Sequence, residues 1–220
     1  MSGAPAYSIR SLKHAYDGQA VLDIPFLEIP SGRIVAFTGP NGCGKTTLLS
    51  ILALLTAARE GSVFLLGTDT TRGNDLLLRR RVTLVHQKPV LFSTSVRNNV
   101  AYGLQARGYP AKEIRQRVQA IMEEMNLSAV AEKHAHRISG GEAQRAVLAR
   151  GLVLETPIVL LDEPTNSLDD ASRPLLSQLL QKASRQRGAT IVLATHDLDF
   201  VSTVTNSVHT MDCGRLQDSR

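Results

Sequence analysis

The stretch Gly39-Pro40-Asn41-Gly42-Cys43-Gly44-Lys45-Thr46-Thr47 matches the pattern G-x-x-x-x-G-K-[ST]. It follows a short apolar run at 33–37 and precedes a helical pattern at 45–55. Glycine lets backbone N–H groups converge on a polyphosphate, and the positive end of the following helix points at the same spot. Lys45 is then expected to contact the phosphates as a point charge, and Thr46 to offer its hydroxyl to Mg²⁺. The stretch therefore predicts a phosphate-binding loop between a buried strand and a helix.

Further apolar runs predict the sheet to which that loop belongs. Residues 82–86, 157–161 and 190–194 are bounded like strands buried on both faces, which is typical of parallel sheets. Residues 7–29 alternate instead, with turn signals at 17–18 and 30–32, and predict an antiparallel pair. Residues 62–66 predict one more strand. Because strands alternate with helical stretches, the predicted fold class is α/β.

The middle of the chain, residues 94–153, carries only helical signals. The clearest helix is predicted for 110–126, where Pro110 stands in the first turn and Glu113 and Arg117 form an i,i+4 pair. Its apolar residues recur every three to four positions and are expected to pack in the core: Ile114, Val118, Ile121, Met122 and Met125. We therefore expect an α/β core that is interrupted by a helical insert and then resumed.

The composition is that of an ordinary globular protein. The chain has 220 residues, 43% hydrophobic and 20% charged, with a formal net charge of +5. These values exclude disordered, collagen-like and fibrous classes. The mild positive charge suits an anionic ligand, an anionic membrane surface or nucleic acid and does not choose among them.

The sequence also indicates a cytosolic chain. Its two cysteines, Cys43 and Cys213, do not make a secreted disulfide scaffold. Residues 1–7 lack the features of a signal peptide, and the longest apolar runs, 51–55 and 158–161, are too short to span a membrane. If the protein works at a membrane, we expect another chain to do the spanning.

Two carboxylates follow the apolar run at 158–161, namely Asp162 and Glu163. The carboxyl ends of strands are where ligands bind in open α/β sheets. Asp162 is the candidate partner of Mg²⁺, and Glu163 is the candidate to polarise an attacking water. Without other signals, such a pair is solvated charge at a strand end about as often as it is part of a site. With Thr46 upstream, it becomes the expected second half of one site.

The third motif is Ser139-Gly140-Gly141-Glu142, which opens a helix that continues to residue 153. Ser139 is predicted to be the N-cap. Two glycines in a first turn cost stability relative to alanine, and close approach of their N–H groups to an anion would offset that cost. Since the chain already has one phosphate-binding loop, this second anion-binding helix start suggests a nucleotide shared between two copies.

Taken in order, the Walker A stretch, this signature, the acidic Walker B pair and a later histidine resemble an ATP-binding cassette (ABC) ATPase over residues 7–216. The resemblance implies a P-loop NTPase fold: a RecA-like core with a mixed, mainly parallel sheet, a small N-terminal antiparallel β subdomain and an inserted α-helical subdomain. It implies one ABC ATPase domain, 1–220. The core and its β subdomain are expected at 1–87 and 154–220, and the helical subdomain at 88–153.

The resemblance also implies roles for single residues. Tyr16 resembles the aromatic residue that stacks on adenine, although a strand aromatic of the core is the alternative. Gln87 resembles the Q-loop glutamine that reaches Mg²⁺ and the lytic water. Asp169 ends the segment 166–169, which resembles the D-loop that crosses to the other subunit. His196 resembles the switch histidine that holds the γ-phosphate and orients Glu163.

The site implied in this way requires ATP and Mg²⁺. Its catalytic residues are Glu163, His196, Gln87 and Lys45. Its magnesium ligands are Thr46, Gln87 and Asp162. Its nucleotide-binding residues are Tyr16, Gly39, Pro40, Asn41, Gly42, Cys43, Gly44, Lys45, Thr46, Thr47, Gln87, Ser139, Gly140, Gly141, Glu142, Asp169 and His196.

The sequence departs from the common family pattern at a few positions. Cys43 replaces a small Ser or Ala of the loop, Ile138 and Glu142 replace the commoner Leu and Gln of the signature, and His86 precedes Gln87 where an aromatic residue is common. None of these changes removes a catalytic group. Because Cys43 is a thiol at a helix start beside Lys45, our hypothesis is that its alkylation blocks ATP binding.

The resemblance further implies the partners. Two copies are expected to close on two ATP molecules as a homodimer and to drive a separate membrane permease at the cytoplasmic face of a bacterial membrane. The permease is expected to dock near the apolar segment 90–96, for which buried hinge packing is the alternative. An extracytoplasmic solute-binding protein is expected in the same system, and nucleic acid is not an expected partner.

The segment 85–103 most resembles ATPases of bacterial oxyanion importers, above all the tungstate and molybdate types. Phosphate, sulfate and amino-acid importers are near neighbours. Two other classes stay open: a mechanical membrane ABC complex of the lipoprotein-extraction or cell-division kind, and an ABC ATPase that acts on nucleic acid or ribosomes. A simple P-loop kinase is remote, since it would have no use for the signature.

Overall fold

The computed structural model describes residues 4–70 and 75–217. Its strands are β1 (Tyr7–Tyr16), β2 (Gln19–Ile29), β3 (Ile34–Thr38), β4 (Glu60–Leu65), β5 (Thr68–Asp69), β6 (Val82–Val85), β7 (Ile158–Asp162), β8 (Thr190–Ala194), β9 (Val208–Asp212) and β10 (Arg215–Gln217). Its helices are α1 (Lys45–Leu52), α2 (Leu76–Arg79), α3 (Val96–Ala106), α4 (Ala111–Glu124), α5 (Gly140–Leu152), α6 (Ser172–Arg187) and α7 (Leu198–Val204). Two short 3-10 helices, Ser128–Val130 and Ala135–Arg137, lie between α4 and α5.

The larger sheet has six strands in the order β10-β9-β3-β8-β7-β6. All its neighbouring pairs are parallel except the β9–β10 hairpin at one edge. Every residue of β3, β7 and β8 is buried. This explains why these strands are continuous apolar runs in the sequence, because both of their faces are covered. The predicted α/β class with a mixed, mainly parallel sheet is confirmed.

The two faces of this sheet pack against different hydrophobic cores. Alternate residues of each central strand belong to each core, as the two-residue period of a strand requires. On β7, for example, Val159 and Leu161 pack with α3–α7, whereas Ile158 and Leu160 pack with α1 and the N-terminal strands. The phosphate-loop helix α1 is therefore held between the two sheets.

The smaller sheet is antiparallel, with the order β2-β1-β4-β5. β1 pairs with β2 around a turn at Asp17 and Gly18, both of which have positive φ. The predicted antiparallel pair is thus confirmed, and β4 extends it by pairing with the other edge of β1. The Tyr7 hydroxyl donates to the carbonyl of Leu52 at 2.8 Å and ties this sheet to the end of α1.

The segment between β6 and β7 is helical, as predicted. Helix α4 starts at Ala111, and Pro110 is its N-cap with φ −60°, one position before the predicted first turn. Arg117 contacts Glu113 at 2.5 Å, so the expected i,i+4 pair is present. The predicted apolar face of α4 packs in the core: Val118, Ile121, Met122 and Met125 are buried, and Ile114 packs against them.

Some elements differ from the sequence analysis. The helix predicted for 45–55 ends at Leu52, and Leu54 has a φ of 58°, which no α-helix accommodates. Helix α6 and the β9–β10 hairpin were not predicted at all. Within residues 4–70 and 75–217, no helix combines the length and hydropathy needed to cross a bilayer. The signal-peptide interpretation falls partly on residues 1–3, which lie outside the described residues.

Candidate active site

The loop between β3 and α1 is shaped by contacts that exclude side chains. Gly39 has φ 148°, and a Cβ there would lie 2.1 Å from the carbonyl oxygen of Met211. Gly44 has φ 104°, and its Cβ would lie 2.8 Å from Leu22 Cδ2. Both glycines are therefore needed for the close approach of β2 and β9 to the loop.

Lys45, the first residue of α1, turns its side chain back into this loop. Its Nζ donates to the carbonyls of Gly39 at 2.7 Å and Pro40 at 3.1 Å. The residue is almost fully buried. The ammonium is thus held by neutral carbonyls inside the loop, where it can exchange these contacts for phosphate oxygens.

Cys43 lies beneath the loop. Only 4% of the residue is exposed, and it packs in the core between the two sheets. Its Sγ is 3.9 Å from Lys45 Nζ, and its carbonyl accepts from Gly214 N–H at 3.0 Å. This burial limits the access of a thiol reagent to the sulfur, and the expected block of ATP binding by alkylation stays a prediction.

A cleft of about 280 Å³ opens above the loop. The residues that line it are Val21, Asn41, Gly42, Gly44, Lys45, Thr46, Thr47, Gln87, Asp162 and Glu163. The cleft thus brings together residues from the loop, from the segment after β6 and from the carboxyl end of β7. Val21, on β2, was not identified from the sequence.

Thr46 and Asp162 form the link between the loop and β7. Thr46 Oγ1 donates to Asp162 Oδ2 at 2.8 Å. Burial raises the pKa of the Asp162 carboxyl, the Thr46 hydrogen bond opposes that rise, and the nearby Glu163 charge adds to it. A bound cation would act like the Thr46 hydrogen bond and lower the pKa of Asp162, because it favours the charged carboxylate.

This pair fits Mg²⁺. A hydroxyl and a carboxylate are the hard oxygen ligands that Mg²⁺ takes, usually with waters and substrate phosphates completing its shell. In the part of the chain that is described, no cluster of three or more His, Cys, Asp or Glu residues could enclose a metal. Gln87 is exposed on the wall of the same cleft.

Glu163 is held on both of its carboxylate oxygens. His196 Nδ1 lies 2.9 Å from Oε1, and the Thr195 hydroxyl donates to Oε2 at 2.9 Å. The Glu163 N–H donates to the carbonyl of Ala194 at 2.7 Å, which joins the end of β7 to the end of β8. Thr195 was missed in the sequence, although a hydroxyl residue directly after a buried strand and before His196 is a usable signal.

The signature residues start α5. Ser139 is its N-cap, as predicted, and forms a capping box with Glu142: Ser139 N–H donates to Glu142 Oε2 at 2.7 Å, and Glu142 N–H donates to Ser139 Oγ at 3.2 Å. The Ser139 backbone N–H is the main reason why the pKa of Glu142 is lowered. A Cβ at Gly140 would meet nothing within 4 Å, and one at Gly141 would lie 3.3 Å from the Ser167 carbonyl. Among the residues that the structure describes, no contact requires glycine at position 140.

Several of the predicted site residues do not line the cleft. Pro40 faces Lys45 through its carbonyl, and the signature residues 139–142 do not line the cleft of their own chain. Asp169 is exposed, accepts from Ser172 N–H at 2.8 Å and lies 3.4 Å from Arg145 on α5. Tyr16 is 48% exposed at the end of β1, edge-on to His14.

Sequence and structure comparisons identify relatives of this chain. The profile of a family described as ABC transporter matches residues 22–166, more than half of the chain. A second profile, of an AAA domain, matches residues 143–202.

Individual relatives cover more of the chain. It is 36% identical over 212 residues to the tungstate uptake system ATP-binding protein TupC of Peptoclostridium acidaminophilum, which covers 96% of this chain and 97% of that protein. It is 39% identical to the sulfate/thiosulfate import ATP-binding protein CysA of Methylococcus capsulatus, over 95% of this chain but only 61% of that protein. A dimeric post-hydrolysis structure of the ATP-binding cassette MJ0796 bound to ADP and Pi superposes with a TM-score of 0.88 at 26% identity, covering 97% of both chains.

Proposed function

Since this chain belongs to the ABC transporter family and is an ATP-binding subunit that hydrolyses ATP, we propose that it drives a separate importer permease as a homodimer. The observation that carries the proposal is the hydrogen bond between Thr46 and Asp162, with Glu163 beside it on the wall of one cleft. This bond joins the phosphate-binding loop to the acidic end of β7. It therefore supports a single site for binding and hydrolysing a nucleoside triphosphate.

In this proposal each residue has a defined task. Lys45 exchanges its loop carbonyls for phosphate oxygens, and the N–H groups of the loop bind the same phosphates. Thr46, Asp162 and Gln87 hold Mg²⁺, which neutralises charge on the phosphate oxygens when it is bound. Tyr16 stacks on the adenine.

Hydrolysis needs a correctly placed water. A bond forms between the water oxygen and the γ-phosphorus, while the bond from that phosphorus to the bridging oxygen of ADP breaks. Glu163 orients the water for this in-line attack, and His196 holds the γ-phosphate. The catalytic contribution is positioning and charge neutralisation, with no covalent intermediate.

A second copy completes the site. Residues 139–142 do not line the cleft of their own chain, and Gly140 faces open space. The capping box uses the N–H groups of Ser139 and Glu142, so those of Gly140 and Gly141 are the ones that bind a nucleotide on another subunit in this proposal. The dimeric relative bound to ADP and Pi supports this arrangement. In the proposed dimer, the Asp169 segment also lies at the interface.

The test is the variant Glu163→Gln. It should bind ATP and stop hydrolysis, so that a dimer accumulates in ATP and returns to monomer in ADP. Size-exclusion chromatography with light scattering measures this, with Lys45→Ala as the control that does not bind ATP. Monomers alone at saturating ATP would contradict the proposed dimer.

An exposed apolar patch supports the proposal that a permease docks on this chain. Val90 and Phe92 are 70% and 45% exposed, and the Phe92 ring lies 4.5 Å from that of Tyr102 on α3. The guanidinium of Arg150 sits over Phe92, and it donates to the Val90 carbonyl at 2.7 Å. The patch is thus fixed in position while its apolar surface stays open, as a docking site requires.

A second cleft supports a proposal about the chemistry of the docking segment. It has a volume of about 390 Å³ and is lined by apolar residues that include Leu55 and Leu76 and by the cations Arg79, Arg80 and Arg107. No carboxylate lines it. We propose that the permease segment is apolar with acidic residues. Phe92→Ala and Arg80→Glu should each weaken transport while leaving the ATPase activity of the isolated subunit near that of the wild type.

The solute in this proposal is an oxyanion such as tungstate or molybdate, delivered by an extracytoplasmic solute-binding protein, with the ATPase at the cytoplasmic face of the membrane. The support is the tungstate relative, which aligns over nearly its whole length. The sulfate relative of similar identity supports a sulfate importer as an alternative. Phosphate and amino-acid importers and mechanical membrane ABC complexes are further alternatives. Cells lacking the gene should lose uptake of tungstate but retain uptake of phosphate and sulfate. Stimulation of ATPase activity by DNA or ribosomes would favour another class.

A further inference from the structure

A buried threonine that does not itself line the cleft is hydrogen-bonded to the side chain of Glu163. Thr195 follows β8 and is 0% exposed. Its Oγ1 donates to Glu163 Oε2 at 2.9 Å and accepts from Asp197 N–H at 3.1 Å. Its backbone N–H donates to the Phe37 carbonyl at 3.0 Å, so the residue is anchored to β3 as well.

These contacts determine where the threonine proton points. A hydroxyl has one proton to donate. Because Asp197 N–H already donates to the oxygen, the Thr195 proton is directed at the other neighbour, Glu163 Oε2. A β-branched side chain is also restricted at χ1, so the hydroxyl has little freedom to turn away. The hydrogen bond is therefore a fixed feature of the folded chain.

The second oxygen of Glu163 is held in a different way. Oε1 contacts His196 Nδ1 at 2.9 Å, and the His196 side chain is 59% exposed. An exposed ring can leave its partner and re-form contacts with solvent or ligand, whereas the buried threonine cannot. Oε2 thus has fixed partners, the Thr195 hydroxyl at 2.9 Å and more weakly the His196 backbone N–H at 3.4 Å, whereas the side-chain partner of Oε1 is exchangeable.

We infer that Thr195 is the positioning residue for Glu163: it anchors Oε2, so that Oε1 faces the reacting water once His196 turns to the γ-phosphate. This inference rests on the proposed role of Glu163. In the proposed reaction, Thr195 contacts neither nucleotide nor water, and it acts only by fixing the direction of the carboxylate. A loose carboxylate would still bind ATP in the same cleft but would orient water poorly.

The test compares four purified variants of the full chain by ATPase kinetics. Thr195→Val keeps the shape and removes the hydroxyl, and Thr195→Ser restores it. Thr190→Val is the matched control, because Thr190 is also a buried threonine and begins β8, at the end of the strand away from the site. Its hydroxyl accepts from Gly32 N–H at 2.9 Å. Glu163→Gln reports on the carboxylate itself.

We expect Thr195→Val to lower kcat by about tenfold or more and to change the KM for ATP by less than about threefold, the pattern of an interaction that matters only in the transition state. Thr195→Ser should recover most of kcat, and Thr190→Val should keep it. Thr195→Val should also accumulate the ATP-bound dimer. If Thr195→Val does not fold, Thr195→Ala against Thr195→Ser provides the same comparison.

Two results would overturn the inference: equal kcat for Thr195→Val and Thr190→Val, or a Thr195→Ser variant as slow as Thr195→Val. Failure of the underlying role of Glu163 looks different, because Glu163→Gln would then hydrolyse ATP at the wild-type rate. An inactive Glu163→Gln with an active Thr195→Val would leave the proposed function intact and exclude only the anchoring role.

Discussion

Glu163 has a backbone φ of 45°, in the left-handed region that residues with a Cβ seldom occupy. Its N–H donates to Ala194 O at 2.7 Å, and both carboxylate oxygens are bonded, so the surrounding strands maintain this conformation. Backbone strain of this kind is common at functional sites, where a side chain must point in one direction.

The backbone strain at Glu163 can be measured by comparing the free energies of unfolding of two variants. Glu163→Gly should be more stable than Glu163→Ala by about 1 kcal/mol, because glycine adopts positive φ without a steric cost. At the exposed helix position Gln178 in α6, the order of stability should be reversed, with Gln178→Ala more stable than Gln178→Gly. Urea unfolding of the four variants measures both differences, and the same order at both positions would exclude strain at Glu163.

Asp197 is a second residue to consider, because its negative charge is expected to stabilise the fold. Its Oδ2 accepts from Thr165 Oγ1 at 2.9 Å and contacts Arg173 at 2.9 Å, while Oδ1 accepts from Phe200 N–H at 3.0 Å. Burial acts to raise the pKa of Asp197, but these partners together hold it below its ordinary value. A lowered carboxyl pKa stabilises the fold above the unfolded-state pKa, and that stabilisation disappears as the pH falls through the folded-state value.

Asp197→Asn keeps the N-cap of α7 and removes the charge. It should lower the free energy of unfolding by about 1–2 kcal/mol at pH 7. The difference from the wild type should shrink as the pH falls below about 3.9, the ordinary pKa of Asp. Denaturant unfolding at several pH values measures this, with the exposed Asp199→Asn as a control. A pH-independent difference would contradict the charge argument.

At the scale of elements, helix α5 has glycines with opposite reasons for being there. A Cβ at Gly151 would lie 2.5 Å from Val85 Cγ2 on β6, so glycine permits the close packing of α5 on the sheet. A Cβ at Gly140 would meet nothing within 4 Å. Gly151 is thus required by packing within this chain, whereas Gly140 is not, and we expect its role to lie in contact with another molecule.

The two glycines should respond differently to alanine. Gly151→Ala should lower stability by about 1–2 kcal/mol, because overpacking outweighs the gain in helix propensity. Gly140→Ala should change stability by less than about 0.5 kcal/mol. It should nevertheless lower ATPase activity, since in the proposed dimer position 140 faces the nucleotide of the other copy. Thermal unfolding and ATPase assays on both variants test this, and a fully active Gly140→Ala would count against the shared site.

At the scale of the whole molecule, ion pairs join the helical insert to the core. Glu155, between α5 and β7, contacts Arg117 on α4 at 3.1 Å and also pairs with Arg187 on α6. Lys182 on α6 contacts Glu124 on α4 at 2.5 Å. We propose that these contacts set the angle of the insert, predicted at 88–153, against the core.

Removing the shared carboxylate should have a modest, salt-dependent effect. Glu155→Gln should lower the free energy of unfolding by about 1 kcal/mol or less at low salt, because these groups are partly exposed. The effect should decrease in 1 M NaCl, where the Debye length is only about 3 Å. Unfolding in low and high salt measures this against Glu28→Gln, an exposed carboxylate on β2. An effect that does not depend on salt would indicate packing.

Several parts of this molecule were predictable because they leave a local pattern. The strands β3, β7 and β8 are buried on both faces, which makes them continuous apolar runs. Helix α4 has an apolar face and a proline at its start. Helix α6 was not predicted, although it repeats Leu176, Leu179, Leu180 and Ala183 at helical spacing, which is the same kind of local signal.

The sequence by itself determined the glycine-rich loop, the alternation of strands and helices and the acidic residues at a strand end, because these depend on near neighbours along the chain. Only the tertiary structure decided that Met211 closes against Gly39, that the Cys43 thiol lies beneath the loop and that Thr195 bonds to Glu163, 32 residues away. These contacts depend on the order of strands in the sheet and on which faces pack together. No periodicity in the sequence encodes that order, since it results from packing the whole chain at once.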